Sequence, residues 1–261
     1  MSRGGDDEPI LPGLEGMRAL VTGGSRGVGR ATALLLGRSG ASVAISYRSR
    51  DEDADRVVGE LEALGARAFA HRGDLTSEEV AEDLFRETGE RLGGLDLFVG
   101  NHGIWPHEGV PIAEMSTEQW LTTQRVNVES LFYTVRAAAR MISDDGRIVL
   151  VSSTAGQRGE AYHGDYAASK GAVISLVKGL AVELAPRGIT VNAVAPGWID
   201  TEMAAPALQG EALEAARAAI PLRRIATSED VAGPIGFLCT PLARHITGEI
   251  LNVNGGAVRV G

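Results

Sequence analysis

Short apolar runs alternate along the chain with longer stretches in which apolar residues recur at helical spacing. The short runs are nearly continuous in apolar character, as expected for strands covered on both faces. They predict strands at Arg18–Thr22, Ser42–Tyr47, Ala66–Ala70 with an extension towards Asp74, Leu95–Asn101, Gly146–Ser153, Thr190–Ala195 and Ile250–Val253. This alternation predicts an α/β fold with a doubly wound, seven-stranded, mostly parallel sheet and helices on both faces.

Helical patterns fill most intervals between these strands. Two Ser/Thr-x-x-Glu/Gln capping boxes, at 76–79 and 116–119, mark helix starts. The predicted helices are Arg26–Arg38, Ala54–Leu64, one from the first box towards Leu92, one from the second towards Met141, and one from about Asp165 to Leu184. The alanine-rich stretch 201–220 also has a helical pattern but interrupts the alternation, so we expect a substrate-lid insertion at about residues 198–222.

Length and charge narrow the class of protein. The 261 residues suit one large domain, and the 44% hydrophobic content is typical of a globular chain. A net charge of −9 disfavours nucleic acid or an anionic membrane as partner, and no apolar run is long enough to span a bilayer. The polar residues 1–15 are expected to form a flexible arm. A single cysteine, Cys239, allows no intrachain disulfide and is typical of a cytoplasmic protein.

A glycine-rich segment, Thr-Gly-Gly-Ser-Arg-Gly-Val-Gly, follows the first predicted strand directly at residues 22–29. Glycines permit a tight turn and let a pyrophosphate approach the backbone. The following helix presents free N–H groups and a positive dipole end to that anion. This context favours a dinucleotide-phosphate site over a plain turn, with the candidate residues Gly23, Ser25, Arg26, Gly27, Val28 and Gly29.

The end of the second strand indicates which dinucleotide is bound. An acidic residue there binds the adenosine ribose hydroxyls, whereas an arginine accepts a 2′-phosphate. Residues 47–50 read Tyr-Arg-Ser-Arg, with no acid before Asp51, and Arg26 can approach the same phosphate. We therefore expect NADP(H) rather than NAD(H), with Tyr47, Arg48 and Ser49 in the site. The alternative is that Arg48 and Arg50 are ordinary solvated loop charges.

Tyr166 and Lys170 lie four residues apart on a predicted helix, so their side chains share one face. A tyrosine that transfers protons at neutral pH needs its pKa lowered from about 10 towards about 7, and a nearby ammonium acts in that direction. Ser153 ends the fifth predicted strand, where a hydroxyl can bind a substrate carbonyl. Ser152 competes for this role, and a serine that merely starts a turn is the alternative.

Together these residues resemble the short-chain dehydrogenase/reductase family in its short form, from about Met17 to Gly256. The motifs stand in the family's order: the glycine loop, Asp74, Asn101-His102-Gly103, Asn127, Ser153, Tyr166-x-x-x-Lys170 and Pro196-Gly197. The segments 47–49, 195–203, 246–249 and 253–256 are most similar to 3-oxoacyl-acyl-carrier-protein reductases, although relatives with other substrates share them. The resemblance implies one Rossmann-type catalytic domain over residues 16–261.

The resemblance also implies roles for matching residues. Tyr166 would be the general acid in carbonyl reduction and the base in the reverse reaction, Lys170 would lower its pKa and hold the nicotinamide ribose, and Ser153 would polarise the carbonyl. Asn127 would support a water-linked proton relay to Lys170. The other cofactor-binding residues would be Asp74 and Leu75 at the adenine, Asn101 and Gly103 beside the adenosine, Ile199 and Thr201 at the carboxamide, and Pro196 and Gly197.

His102 departs from the family, which usually has alanine there, and we expect a structural histidine rather than one facing the crevice. No histidine spacing suggests a metal, and none is expected. Substrate-facing residues should come from three segments and form a partly hydrophobic pocket: Trp105 and His107, then Gln157, Tyr162 and His163, then Trp198 and Met203.

The substrate stays open at this point: a carrier-bound acyl thioester, a polyketide-like ketone, a steroid or a sugar. A non-catalytic NADP(H)-sensing protein is disfavoured because Ser153, Tyr166 and Lys170 are all present. The resemblance further implies a homotetramer built through the two long helices.

Overall fold

A computed structural model gives the structure of the protein and describes residues 10–259. Its strands are Arg18–Thr22 (β1), Ser42–Tyr47 (β2), Ala68–Arg72 (β3), Leu95–Gly100 (β4), Ile142–Val151 (β5), Thr190–Pro196 (β6) and Ile250–Val253 (β7). Its helices are Gly27–Arg38 (α1), Asp51–Ala63 (α2), Glu78–Leu92 (α3), Thr117–Gln124 (α4), Ser130–Met141 (α5), Thr154–Arg158 (α6), Gly164–Leu184 (α7), Gly210–Ala219 (α8) and Ser228–Cys239 (α9).

The strands described between residues 10 and 259 form one seven-stranded sheet in the order β3-β2-β1-β4-β5-β6-β7. Every neighbouring pair is parallel, so the expected doubly wound fold is confirmed and the sheet is parallel throughout. The order reverses between β1 and β4. In an open α/β sheet, the crevice for a ligand lies at the carboxyl ends of the strands beside such a reversal.

Both faces of the sheet are covered because successive strand residues point to opposite sides. In β1, Leu20 packs into the core beneath α3, α5 and α7, whereas Ala19 and Val21 pack into the core beneath α1, α2 and α9. All three side chains are fully buried. This burial on two faces explains the nearly continuous apolar runs in the sequence.

Three of the element boundaries that differ from the sequence prediction have a clear local reason. α2 starts at Asp51 rather than Ala54, since acidic residues 51–53 fill its first turn and complement the helix dipole. α3 is capped by Ser77 rather than Thr76, because the Thr76 hydroxyl donates to Asp74 at 2.9 Å. β5 begins at Ile142, which is buried and pairs with Leu95 ahead of a turn-like Ser-Asp-Asp-Gly stretch.

The long helix predicted from residue 117 to 141 is interrupted by a π-helical turn at Arg125–Glu129. The Ser116 side chain caps its start by accepting from the Gln119 N–H, as the capping box predicted. The alanine-rich insertion lies between β6 and α9, and only its second half is helical, as α8. Residues 201–208 form turns instead.

The N-terminal arm expected at residues 1–15 needs a correction. Residues 1–9 lie outside the described residues. Leu14, however, is fully buried, and Leu11 packs against the same core and donates its N–H to Ser39 Oγ at 3.3 Å. The domain therefore includes residues 10–15. Within the described range, no helix combines the length and the apolar character required to cross a bilayer.

Gly156 brings α6 and α7 into backbone contact. A Cβ at this position would lie 2.5–2.8 Å from the main chain of Lys170 and Gly171, which cannot move aside as a flexible side chain would. We expect Gly156→Ala to lower the free energy of unfolding by about 1–3 kcal/mol, through overpacking.

Gly59→Ala is the matched control for urea denaturation of both variants. Gly59 is also helical but has open space around its Cβ position. Alanine there should raise stability by about 0.5–1 kcal/mol. Equal changes in unfolding free energy for Gly156→Ala and Gly59→Ala would contradict the close backbone contact at Gly156.

Candidate active site

A cleft of about 530 Å³ opens at the carboxyl ends of the strands, beside the reversal between β1 and β4. It joins segments that are far apart in sequence: the glycine loop, the ends of β2, β3 and β4, the helix α7 and the start of the insertion. The predicted residues that line it are Gly23, Ser25, Arg26, Gly27, Val28, Tyr47, Arg48, Ser49, Asp74, Leu75, Asn101, Gly103, Tyr166, Lys170, Ile199 and Thr201.

Some predicted cofactor residues lie behind the cleft wall. Gly29 is packed against the loop, where a Cβ would come within 2.1 Å of the Gly23 carbonyl oxygen. Pro196 ends β6 in a buried position, and Gly197 lies against Asn254. The structure therefore gives these three residues a supporting position and does not place them on the lining.

The glycine loop has the backbone shape that a phosphate group requires. Gly23 and Gly27 have φ values of +65° and +53°, a region that favours glycine. Gly24 allows no side chain either, because a Cβ there would lie 2.6 Å from Ile45. The loop ends at the first turn of α1, whose N–H groups face an incoming anion. The residues present thus fit a dinucleotide pyrophosphate.

Two arginines converge on one carboxylate at the adenosine side of the cleft. Arg26 Nη1 and Arg50 Nη2 donate to the same Glu202 Oε2, at 2.6 and 2.8 Å. Arg48 lies apart from them, 3.8 Å from the carboxylate of Asp74. The site residues predicted from the sequence include Arg26 and Arg48 but not Arg50. The signal for Arg50 was its place as the second arginine of the segment 47–50. Glu202 had no local signal, since it lies 152 residues from Arg50.

Ser153, Tyr166 and Lys170 meet at the end of β5. Ser153 lies beside the Tyr166 phenol, and its Oγ accepts from the Ala155 N–H at 3.1 Å as the N-cap of α6. Lys170 Nζ donates to the Val151 carbonyl at 2.9 Å and lies 5.8 Å from the centre of the Tyr166 ring. Tyr166 and Lys170 therefore share one face of α7, as their four-residue spacing predicts.

Ser152 is turned away from this group. It is buried, and its hydroxyl donates to the Lys170 carbonyl oxygen at 2.9 Å. Of the two candidate serines, Ser153 is thus the one beside the phenol, while Ser152 ties β5 to α7.

Burial controls the charge of both titratable groups. It raises the pKa of Tyr166 to about 12, against the opposing effect of the Ser153 hydroxyl. It lowers the pKa of Lys170 to about 8. Loss of solvation is the main cause of the Tyr166 shift in the chain itself, and the lowering of the phenol pKa that is expected from Lys170 stays a prediction. At neutral pH Tyr166 is a neutral proton donor.

Asn127 occupies the π-helical turn and fixes the loop that follows β4. Its Oδ1 accepts from the Ile104 N–H at 2.8 Å, and its Nδ2 donates to the Ile104 carbonyl and to Ser169 Oγ. It lies behind the cleft lining, separated from Lys170 by Gly103. A Cβ on Gly103 would lie 3.1 Å from Asn127 Oδ1 and 3.5 Å from Lys170 Nζ.

His102 is held at both ring nitrogens. Nδ1 lies 2.8 Å from Thr22 Oγ1, and Nε2 lies 2.6 Å from Ser130 Oγ. Burial and the Lys170 charge lower its pKa to about 4, so the ring is neutral at pH 7 and has one donor and one acceptor. Since the Ser130 hydroxyl donates to the Val126 carbonyl, Nε2 donates to Ser130. Nδ1 then accepts from Thr22, whose hydroxyl is nearer to this nitrogen than to the Val99 carbonyl at 3.3 Å. His102 thus has partners at both nitrogens, as a structural histidine does, and it also borders the cleft.

The three segments expected to face the substrate come together as an aromatic cluster. The Trp105 ring stacks on His163 at a centroid distance of 5.0 Å and meets Trp198 edge-on at 5.7 Å. Glu160 lies near this cluster, and burial raises the pKa of its carboxyl. Gln157 does not join the cluster and donates to Asn252 at 2.7 Å. Among residues 10–259, no group of three or more His, Cys, Asp or Glu side chains is placed to hold a metal ion.

A parallel sheet, a glycine loop at its reversal and a Tyr–Lys pair beside the cleft define a dinucleotide-dependent oxidoreductase. The sequence model described as enoyl-(acyl carrier protein) reductase matches residues 23–258. The chain belongs to the short-chain dehydrogenase/reductase family.

Three known proteins illustrate the likeness. The 3-oxoacyl-[acyl-carrier-protein] reductase of Synechocystis is 38% identical over 95% of this chain and 99% of its own. The L-rhamnose 1-dehydrogenase (NAD(P)(+)) of Sphingomonas is 39% identical over 93% and 96%. A short-chain dehydrogenase from Burkholderia cenocepacia, solved in complex with NADP, is 40% identical over 94% and 98%, with a TM-score of 0.88.

His102 should make stability depend on pH in acid. The folded chain takes up its proton near pH 4 and the unfolded chain near pH 6.5, so stability is lost as pH falls through this window. We expect the unfolding free energy of His102→Ala to fall less steeply between pH 6.5 and 4 than that of the wild type, because the variant has no imidazole to protonate. Urea denaturation at a series of pH values measures this difference.

His245→Ala, at an exposed position, serves as the control and should keep the wild-type slope. If wild type and His102→Ala fall with the same slope, the His102 ring is protonated in the folded protein and the assignment of its hydrogen bonds is wrong.

Proposed function

We propose that the protein is an NADP(H)-dependent carbonyl reductase whose substrate is a 3-oxoacyl thioester held on a carrier protein. The observation that carries the proposal is the position of the Tyr166 phenol, which lines the cleft beside Lys170 and close to the Ser153 hydroxyl. A protonated donor next to a second hydroxyl suits a carbonyl oxygen that must gain a proton.

The residues along the cleft fit the cofactor in order. The glycine loop and Ser25 would hold the pyrophosphate, Arg26 and Arg50 the 2′-phosphate, and Asp74 with Leu75 the adenine. Lys170 would hold the nicotinamide ribose, and Ile199 and Thr201, at the start of the insertion, the carboxamide. When bound, NADPH supplies a hydride to the carbonyl carbon.

The chain's own groups provide the proton and the orientation. Tyr166 is neutral at pH 7, because its pKa is about 12, and holds the proton destined for the carbonyl oxygen. Ser153 orients the same oxygen. The Lys170 ammonium, present below about pH 8, stabilises the phenolate that remains when the proton leaves. Together these steps turn C=O into CH–OH.

The choice of substrate rests on likeness and on the aromatic cluster. The similarity to a 3-oxoacyl-[acyl-carrier-protein] reductase extends over nearly the full length of both chains. Indole faces such as Trp105 and Trp198 suit an acyl chain. They also suit a sugar ring, and the similarity to an L-rhamnose 1-dehydrogenase makes a sugar, oxidised at a ring hydroxyl, the second candidate.

Replacement of Tyr166 tests the assignment of the acid. We expect Tyr166→Phe to lower kcat for NADPH-dependent reduction of an acetoacetyl thioester by about 10²- to 10⁴-fold, while NADPH still binds. NADPH consumption and calorimetric titration measure the two quantities. Tyr133→Phe is the matched control, since it removes a phenol on α5 that hydrogen-bonds with Glu129 outside the cleft lining and should keep wild-type turnover.

The remaining outcomes discriminate the alternatives. Oxidation of L-rhamnose with NADP+, or reduction of another ketone, in place of thioester reduction would replace the substrate and keep the mechanism. NADPH binding with no turnover on any carbonyl would favour a sensing protein. Equal or tighter binding of NADH would remove the cofactor preference.

We also propose a homotetramer assembled through the long helices. Leu121 on α4, Phe132 on α5 and Val182 on α7 are exposed apolar residues of those helices, with Val182 78% accessible. Light scattering on the purified protein should give four times the chain mass, and Val182→Glu should reduce it by placing a charge in the contact. A monomeric wild type would overturn the proposal.

A further inference from the structure

The Glu202 carboxylate occupies an anion position shared by two arginines. Arg26 is the residue before α1, and Arg50 is the residue before α2. Each donates to the same carboxylate oxygen, as described above, and all three residues border the cleft. Glu202 itself belongs to the insertion that follows β6, so the ion pairs join this insertion to the opposite side of the cleft.

Asp51, the first acid after β2, does not face this position. Its carboxylate accepts from the Tyr47 hydroxyl at 2.9 Å and lies 3.4 Å from Arg72. Arg50 has a second acidic neighbour, Asp53, at a longer 3.7 Å. The carboxylate that neutralises both Arg26 and Arg50 therefore comes from across the cleft.

A more highly charged anion can displace the Glu202 carboxylate from the two arginines. Arg26, Arg50 and Glu202 are each about half exposed, at 48%, 49% and 59%, and ion pairs in such positions are weak. A phosphate carries more charge and more acceptor oxygens than a carboxylate, so it can displace Glu202 from the arginines. A neutral ribose hydroxyl cannot.

We propose that Glu202 limits the affinity for a 2′-phosphorylated cofactor by occupying the place of the 2′-phosphate between Arg26 and Arg50. This inference rests on the proposed NADP(H) dependence. It adds that the Glu202 carboxylate competes with the 2′-phosphate for Arg26 and Arg50. Binding of a 2′-phosphate releases the start of the insertion, where Thr201 lies within 3.5 Å of the Gly27 Cβ position. A dinucleotide without that phosphate leaves the ion pairs intact.

The test uses 2′,5′-ADP and 5′-AMP, which differ only in the 2′-phosphate, and calorimetric titration of the full chain. Removing the competing charge in Glu202→Gln should tighten 2′,5′-ADP binding by about 2- to 10-fold, as expected for loss of two exposed ion pairs. Binding of 5′-AMP should not change. Glu211→Gln is the control, because it removes an exposed carboxylate of the same insertion and should change neither affinity.

Two results would overturn the inference. In one, Glu202→Gln binds 2′,5′-ADP no more tightly than the wild type. In the other, it gains equally for both nucleotides, which would indicate a general charge effect. If the wild type itself does not prefer 2′,5′-ADP, the cofactor assignment fails together with the inference. If the wild type prefers 2′,5′-ADP but Glu202→Gln binds it no more tightly, the inference fails and the cofactor assignment stands.

Discussion

The junction between the ends of β1 and β4 sets the shape of the cleft. Thr22 Oγ1 accepts from the Asn101 N–H at 3.0 Å, and Asn101 Nδ2 donates to the Thr22 carbonyl at 3.0 Å. These bonds hold together two strands whose following segments leave towards opposite faces of the sheet. The glycine loop, the Asn127-bound loop and the crevice between them all take their positions from this junction. His102 reinforces it from the side, which explains why a bulky ring is tolerated beside the cleft.

Much of the fold follows from local sequence signals, because both the apolar runs and the helix starts depend on near neighbours. The bounds of β1, β2 and β7 agree with the prediction, and α7 begins one residue earlier than expected. The capping box at 76–79 failed because Asp74 competes for the Thr76 hydroxyl. The pairing of Glu202 with Arg26 and Arg50 could not be predicted, since it depends on how a distant insertion crosses the cleft.

Burial shapes the chemistry of the site more than direct charge contacts do. It moves Tyr166 and Lys170 towards their neutral forms, in opposite directions on the pH scale. For Lys170 the folded pKa of about 8 lies below the usual 10.5, so its burial costs stability at neutral pH. This cost is relieved as pH rises through that window. The protein thus keeps a destabilising ammonium where the phenol requires it.

The π-helical turn at Arg125–Glu129 gives the two halves of one long helix different neighbours. α4 packs against α7, whereas α5 packs against α3. A π turn holds one residue more than the α-helix around it, so loss of a single residue there would restore regular winding. Asn127 would then rotate away from Ile104, and the loop after β4 would lose its anchor. The number of residues in this short stretch therefore determines the shape of the cleft. A relative that lacks one residue there would have a differently shaped site.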